Sequence, residues 1–108
     1  MNLVKIVVFV PLSHTDVVRR AMGDAGAGQY RNYSHSSFSS KGVGRFLPLQ
    51  GAKPFTGEVG KLEVVEEERI EVVCAKERAK EVIAVMKKAH PYDEVAYDIY
   101  SLINEADL

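Results

Sequence analysis

The stretch "LVKIVVFVPLSHTDVVRRAMGDAGAG", Leu3–Gly28, sets the fold. Its first nine residues are almost unbroken β-branched and apolar sequence, closed by Pro11. Such a run reads as a strand buried on both faces, and hence central in a sheet. Ser13, with Asp16 three residues on, is an Asp-for-Glu variant of the capping box that starts helices. Val17, Val18, Ala21, Met22 and Ala25 then recur at helical spacing and predict one apolar stripe. Gly26 and Gly28 supply the positive-φ positions at which helices stop. The stretch is a strand followed by a helix.

The same pattern returns at the other end of the chain. "KLEVVEEERIEVVCA", Lys61–Ala75, has strand character, with Ile70, Val72 and Cys74 on one face. The alternation shifts across Glu66–Glu68, where a bulge or bend is expected. "KERAKEVIAVMKKAH", Lys76–His90, is an amphipathic helix with Ala79, Val82, Ile83 and Met86 on its apolar side. Lys87, Lys88 and His90 suit the negative end of its dipole. Pro91 ends it, because the residue before proline is pushed out of the α region. "EVAYDIYSL" alternates Val95, Tyr97 and Ile99 against Ala96, Asp98 and Tyr100, a strand with two different faces.

Between these units lies a segment rich in Ser, Gly and aromatic residues. "SSKGVG" reads as a turn joining extended pieces at about 33–39 and 45–49, a polar hairpin. Gly51, Pro54, Gly57 and Gly60 then punctuate a loop, and a long loop inside a compact domain is usually functional or packs on another chain. The order is β-α-β-β-loop-β-α-β. Its natural closure is an α+β, ferredoxin-like βαββαβ sandwich, an antiparallel sheet with two helices on one face and an extended mid-chain hairpin and loop. Residues 1–102 form one domain and 103–108 a polar tail.

At 108 residues, with 46% hydrophobic residues, the chain can bury a core without disulfides. The single cysteine, Cys74, excludes an internal disulfide framework and fits a reducing cytosol. No apolar run reaches membrane-spanning length, so a soluble, cytoplasmic protein is expected. A formal net charge of -1 makes neither nucleic acid nor a membrane the expected partner. The one dense charge run, "EVVEEERIE", reads as an exposed strand face or hairpin tip.

Several spaced motifs carry a resemblance. Asn32-Tyr33-Ser34, Ser37-Phe38, the Gly42/Gly44 pair, Gly51-Ala52, Gly57-Glu58, His90-Pro91-Tyr92 and Val95-Ala96-Tyr97-Asp98 resemble the inserted middle domain of the Nif-three-like family. That domain is similar to CutA and to the PII signalling proteins, and the likeness runs from about Leu3 to Leu102. It implies a CutA/PII-like fold and trimerisation, with ligands bound at the counterpart of residues 28–61 and in subunit clefts. Longer relatives carry flanking lobes with a dinuclear metal site, some described as a metal-dependent cyclohydrolase. Those lobes and their ligands are not in this sequence, so no catalytic residues carry over and hydrolysis is the least expected role.

His90 is the sharpest candidate for chemistry. It reads either as a divalent-metal ligand or proton carrier, with Asp93, Glu94 and Tyr92 alongside, or as a helix end fixed by proline. His35, among serines, could join it at a subunit junction; His14 reads as part of a helix start. Cys74 reads as a core residue, since nothing local favours its thiolate. The glycines of "GDAGAGQYRN" follow a helix and so read as its stop, because phosphate loops precede one. Ser34, Ser36, Ser37, Ser39 and Ser40 read as polar strand and turn residues. Asp98 and Tyr100 point to the helix-free face, where a second copy could cover them and Asp98 could pair with Arg45 or Lys61. Phe55 is a further interface candidate. The leading expectation is a non-enzymatic, oligomeric module binding a small molecule or protein partner. A divalent-metal-binding protein using His90 and His35 is the alternative.

Overall fold

The computed structural model describes residues 2–108. Four strands and two helices follow in the order β1 (Leu3–Pro11), α1 (Thr15–Asp24), β2 (Phe38–Phe46), β3 (Glu63–Ala75), α2 (Ala79–Ala89) and β4 (Tyr97–Ser101). The strands form one antiparallel sheet in the order β2-β3-β1-β4. Each strand-helix-strand unit leaves a gap that a strand of the other unit fills, which is the split βαβ closure.

Alternation along β1 and β3 decides where the core lies. Ile6, Val8, Val10, Ile70 and Cys74 face Val18 and Met22 of α1 and Val82 and Met86 of α2, all of them buried. Each fully buried aliphatic side chain of this kind contributes roughly 1.5–3 kcal/mol. The opposite face carries Lys5, Phe9, Arg69 and Glu71, with Val7 sealed between Glu71 and Asp98. β3 outruns β1. Glu67 pairs with Pro11, the last residue of β1, so residues 63–66 pair with β2 alone and the two strands project as an arm.

Four local expectations are corrected. "SSKGVG" is no turn: β2 runs unbroken through it, paired from Phe38↔Glu71 to Phe46↔Glu63. Residues 33–37 precede the strand and 47–49 follow it, so the hairpin is formed by β2 and β3 across the 47–62 loop. Glu66–Glu68 hold no bulge, because both registers of β3 run through them without a skipped partner. Ser13 makes no capping bond; its hydroxyl meets His14 Nδ1 at 2.7 Å, and a 3-10 turn over Leu12–His14 leads into α1. Val17 is 51% exposed, so the α1 stripe is narrower than its sequence suggests. Gly26 and Gly28 do take positive φ after α1, as their positions predict. At Gly28 any side chain would also strike the Ser36 backbone, which bonds back to Gly28 O.

Candidate functional site

The floor of the candidate site is Glu67. It stands where β1 ends and the arm begins, opposite Gly42 and diagonal to Gly44 on the helix-free face. A Cβ at Gly44 would overlap the Glu67 carboxylate, whose Cδ would lie 2.6 Å away. At Gly42 a Cβ would meet nothing within 4 Å. Gly44 therefore makes room for the carboxylate, and Gly42 leaves open space in the wall of the cleft. Glu67 is only 8% exposed.

Tyr92 reaches Glu67 from the corner between α2 and β4. Its hydroxyl donates to Glu67 Oε2 at 2.9 Å. Burial first, and then the bond to this carboxylate, push the phenol well above its ordinary range, so the proton stays on Tyr92. The Tyr92 ring lies 6.0 Å from that of Phe46 and 6.3 Å from that of Phe55, with His90 stacked obliquely at 4.8 Å. Phe55 also meets the ring of His14 edge-on at 5.4 Å.

His90 holds the corner in place. Its Nδ1 accepts from the Tyr92 N–H at 3.1 Å, which leaves Nε2–H to donate to the Phe9 carbonyl at 2.8 Å. Both ring nitrogens are thus committed within the chain. Burial lowers its pKa, against the bond to Phe9 and the nearby Glu67 charge, which pull it up. Asp93 Oδ2 accepts from the Lys53 N–H at 3.0 Å and so fastens the 47–62 loop to the same corner.

These pieces enclose a cleft of about 940 Å³ between β2, the 47–56 stretch and the Tyr92–Glu94 corner. Phe9, Phe46, Phe55 and Tyr92 give it apolar walls; Arg45, Arg69, Glu67 and Glu94 give it charges. Arg69 is held away from Glu67, its Nε 3.3 Å from Glu71 Oε2 and its guanidinium over the Phe9 ring. A second groove of about 870 Å³ lies at the other end of the sheet, beside Lys5, Arg31 and Arg78.

The structure gathers Tyr92, Asp93, Glu94, Arg45 and Phe55 around one cleft with His90 behind it. His35 lies elsewhere, past the C-terminal end of α1. It bonds Asp24 through Nε2 at 2.8 Å and Ser34 Oγ through Nδ1 at 2.9 Å. Within one chain the two histidines are on opposite ends of the sheet: His90 meets Phe9, whereas the His35 loop closes on Val73, opposite Lys5. Asp98 and Tyr100 sit exposed on edge strand β4, and Arg45 belongs to the face opposite theirs. Among the described residues no three His, Cys, Asp or Glu side chains converge as a ligand set. Cys74 is buried in the core, and burial, with Glu77 nearby, raises its thiol pKa. Sequence reasoning missed Glu67, placing it within an exposed charge run. The usable signal was the Gly-Val-Gly spacing of β2, which clears one face of side chains.

No family model matches the chain. It is 52% identical over 106 residues to the GTP cyclohydrolase 1 type 2 homolog of Halalkalibacterium halodurans, covering 98% of this chain. A solved structure of a Bacillus cereus protein related to NIF3 superposes with a TM-score of 0.84 at 50% identity over 95% of the chain. The chain corresponds to one segment of the Nif-three-like proteins. It spans 28% of the H. halodurans relative and 26% of the B. cereus chain. The segment also superposes over its full length on the PII-like protein CutA of Nostoc, with a TM-score of 0.68 and 11% identity, a likeness of fold alone. That neighbour agrees with the α+β, CutA/PII-like architecture expected from the sequence. Among the described residues no helix is long and apolar enough to cross a membrane.

Proposed function

We propose that this chain, which matches one segment of the longer Nif-three-like proteins, is a non-catalytic binding module whose small-molecule ligand seats in the Glu67–Tyr92 cleft. The observation that supports it best is the pairing of Gly44 with Glu67. A strand has given up a side chain so that a carboxylate can be stored at the bottom of an aromatic cleft. Clefts of this size, mostly apolar with a few placed polar groups, are the usual form of small-molecule sites. The groups around it are held in resting states: Tyr92 keeps its proton, His90 has both nitrogens bonded, and the Cys74 thiol is buried. They orient and select; none is poised as a nucleophile.

The segment works as a self-associating unit, a trimer by its resemblance to PII proteins. Asp98, Ile99 and Tyr100 on β4 and the open edge of β2 are the surfaces available to it, with Ile99 and Tyr100 48% and 42% exposed. The test is a thermal-shift screen of the 108-residue chain with nucleotides, amino acids and amines, repeated on Gly42→Phe, which places a ring in the cleft. Compounds that stabilise the wild type should lose their effect in the variant. Stabilisation unchanged by Gly42→Phe would place binding elsewhere and end the proposal.

A further inference from the structure

The Glu67 carboxylate is buried without a counter-charge. Every ion pair among the described residues uses another acid, and the one polar partner of Glu67 is the neutral Tyr92 hydroxyl on Oε2. A carboxylate removed from water is stable when it is paired or fully hydrogen-bonded, and this one has a single bond. Its second oxygen, Oε1, is the atom nearest to where a Gly44 side chain would stand, and Gly44 and Glu67 both line the cleft. Of the basic residues that line the cleft, Arg69 is held by Glu71 and Phe9, and Lys41 and Arg45 alternate onto the face of β2 opposite Glu67. Around the vacant side stand Phe46, Phe55 and Tyr92. Aromatic faces attract cations and are apolar enough to strengthen a charge pair beside them.

We propose that the cleft selects a small organic cation, a primary ammonium or guanidinium on a short apolar stem, and seats its charged nitrogen on Glu67. The stem lies among Phe46, Phe55 and Tyr92; Asp93 and Glu94 at the rim draw the cation in. This rests on the proposed binding role of the cleft and adds the chemical class of its ligand. With its single O–H, Tyr92 fixes the rotamer of Glu67 and leaves the other oxygen for the guest.

The test is an NMR titration of the chain with benzylamine and with benzyl alcohol, a neutral molecule of the same shape. Benzylamine should saturate at least tenfold lower in concentration, moving the amides of residues 42–46, Glu67 and Tyr92. Glu67→Gln should erase the preference, whereas Glu94→Gln, at the rim, should keep most of it. Gly42→Ala, whose methyl enters open space, should weaken benzylamine several-fold without loss of folding, so the claim stays testable if Glu67→Gln is unstable. Equal binding of the two probes to wild type would overturn the inference, yet leave a cleft that binds other compounds in the thermal screen. Sedimentation at the titration end point separates the source of the cation. If benzylamine dissociates an oligomer, a Lys or Arg of a second copy is the natural guest, and the small-molecule assignment fails.

Discussion

Replacing Gly44 by alanine is the sharpest test of how the cleft is built. The backbone there is ordinary, so no cost arises from φ, and the new methyl would overlap only the Glu67 carboxylate. That carboxylate ends a flexible side chain and can leave, but leaving breaks the bond from Tyr92. A hydrogen bond to a charged group contributes about 1.5–3 kcal/mol, and the orphaned Tyr92 hydroxyl adds to the loss. Against this stands the gain of about 0.5–1 kcal/mol for replacing a strand glycine with alanine. The net expectation is a destabilisation of about 1–2.5 kcal/mol. Urea unfolding measures it, with Gly42→Ala as the control, where the methyl meets open space and stability should stay level or rise slightly. In a Glu67→Ala background the Gly44→Ala cost should vanish, a coupling that a double-mutant cycle reads directly. If Gly44→Ala costs no more than Gly42→Ala, Glu67 is not held beneath Gly44 and the reasoning about the floor of the cleft is wrong.

Three further outcomes follow from the same structure. Because burial holds the His90 pKa below its ordinary 6.5, the unfolded chain binds this proton more readily. Stability should therefore be complete above pH 6.5 and fall as pH drops toward the lowered value, with His90→Gln flattening this part of the urea-midpoint profile. Cys74, buried and with a raised pKa, should react with a thiol reagent only on unfolding, so labelling should track urea concentration and burst labelling in buffer should not occur. Gly28→Ala should cost clearly more than Gly51→Ala in chemical denaturation. Both glycines have positive φ, worth about 1–2 kcal/mol for alanine, but only at Gly28 does the methyl also strike backbone.

The fold was largely legible because its strongest signals are local. β1 is a run of β-branched residues ended by a proline, and α2 repeats apolar residues at 3.6-residue spacing, so both follow from neighbours in sequence. β2 was not legible for the opposite reason. Gly42 and Gly44 look like turn residues, but both lie mid-strand, and at Gly44 the space is filled by a carboxylate twenty-odd residues away, which no local pattern carries. Glu67 was misjudged through the same blind spot. In sequence it is one of three consecutive glutamates; in the structure it alone of the three sits under Tyr92 at the root of the arm. His90 reads from the sequence either as a ligand or as a proline-fixed helix end, and only its long-range contact to Phe9 shows where its second nitrogen goes. Val17 fits the helical period but lies at the margin of a stripe centred on the buried Val18 and Met22, and so stays half exposed.

The residues a ligand touches decide whether the Glu67–Tyr92 cleft is the binding site. The most direct measurement is the two-dimensional amide spectrum of labelled protein titrated with benzylamine. Saturable shifts confined to residues 42–46, Phe55, Glu67 and Tyr92 are predicted. Shifts centred instead on Lys5, Arg31 and Arg78, at the other end of the sheet, would contradict it.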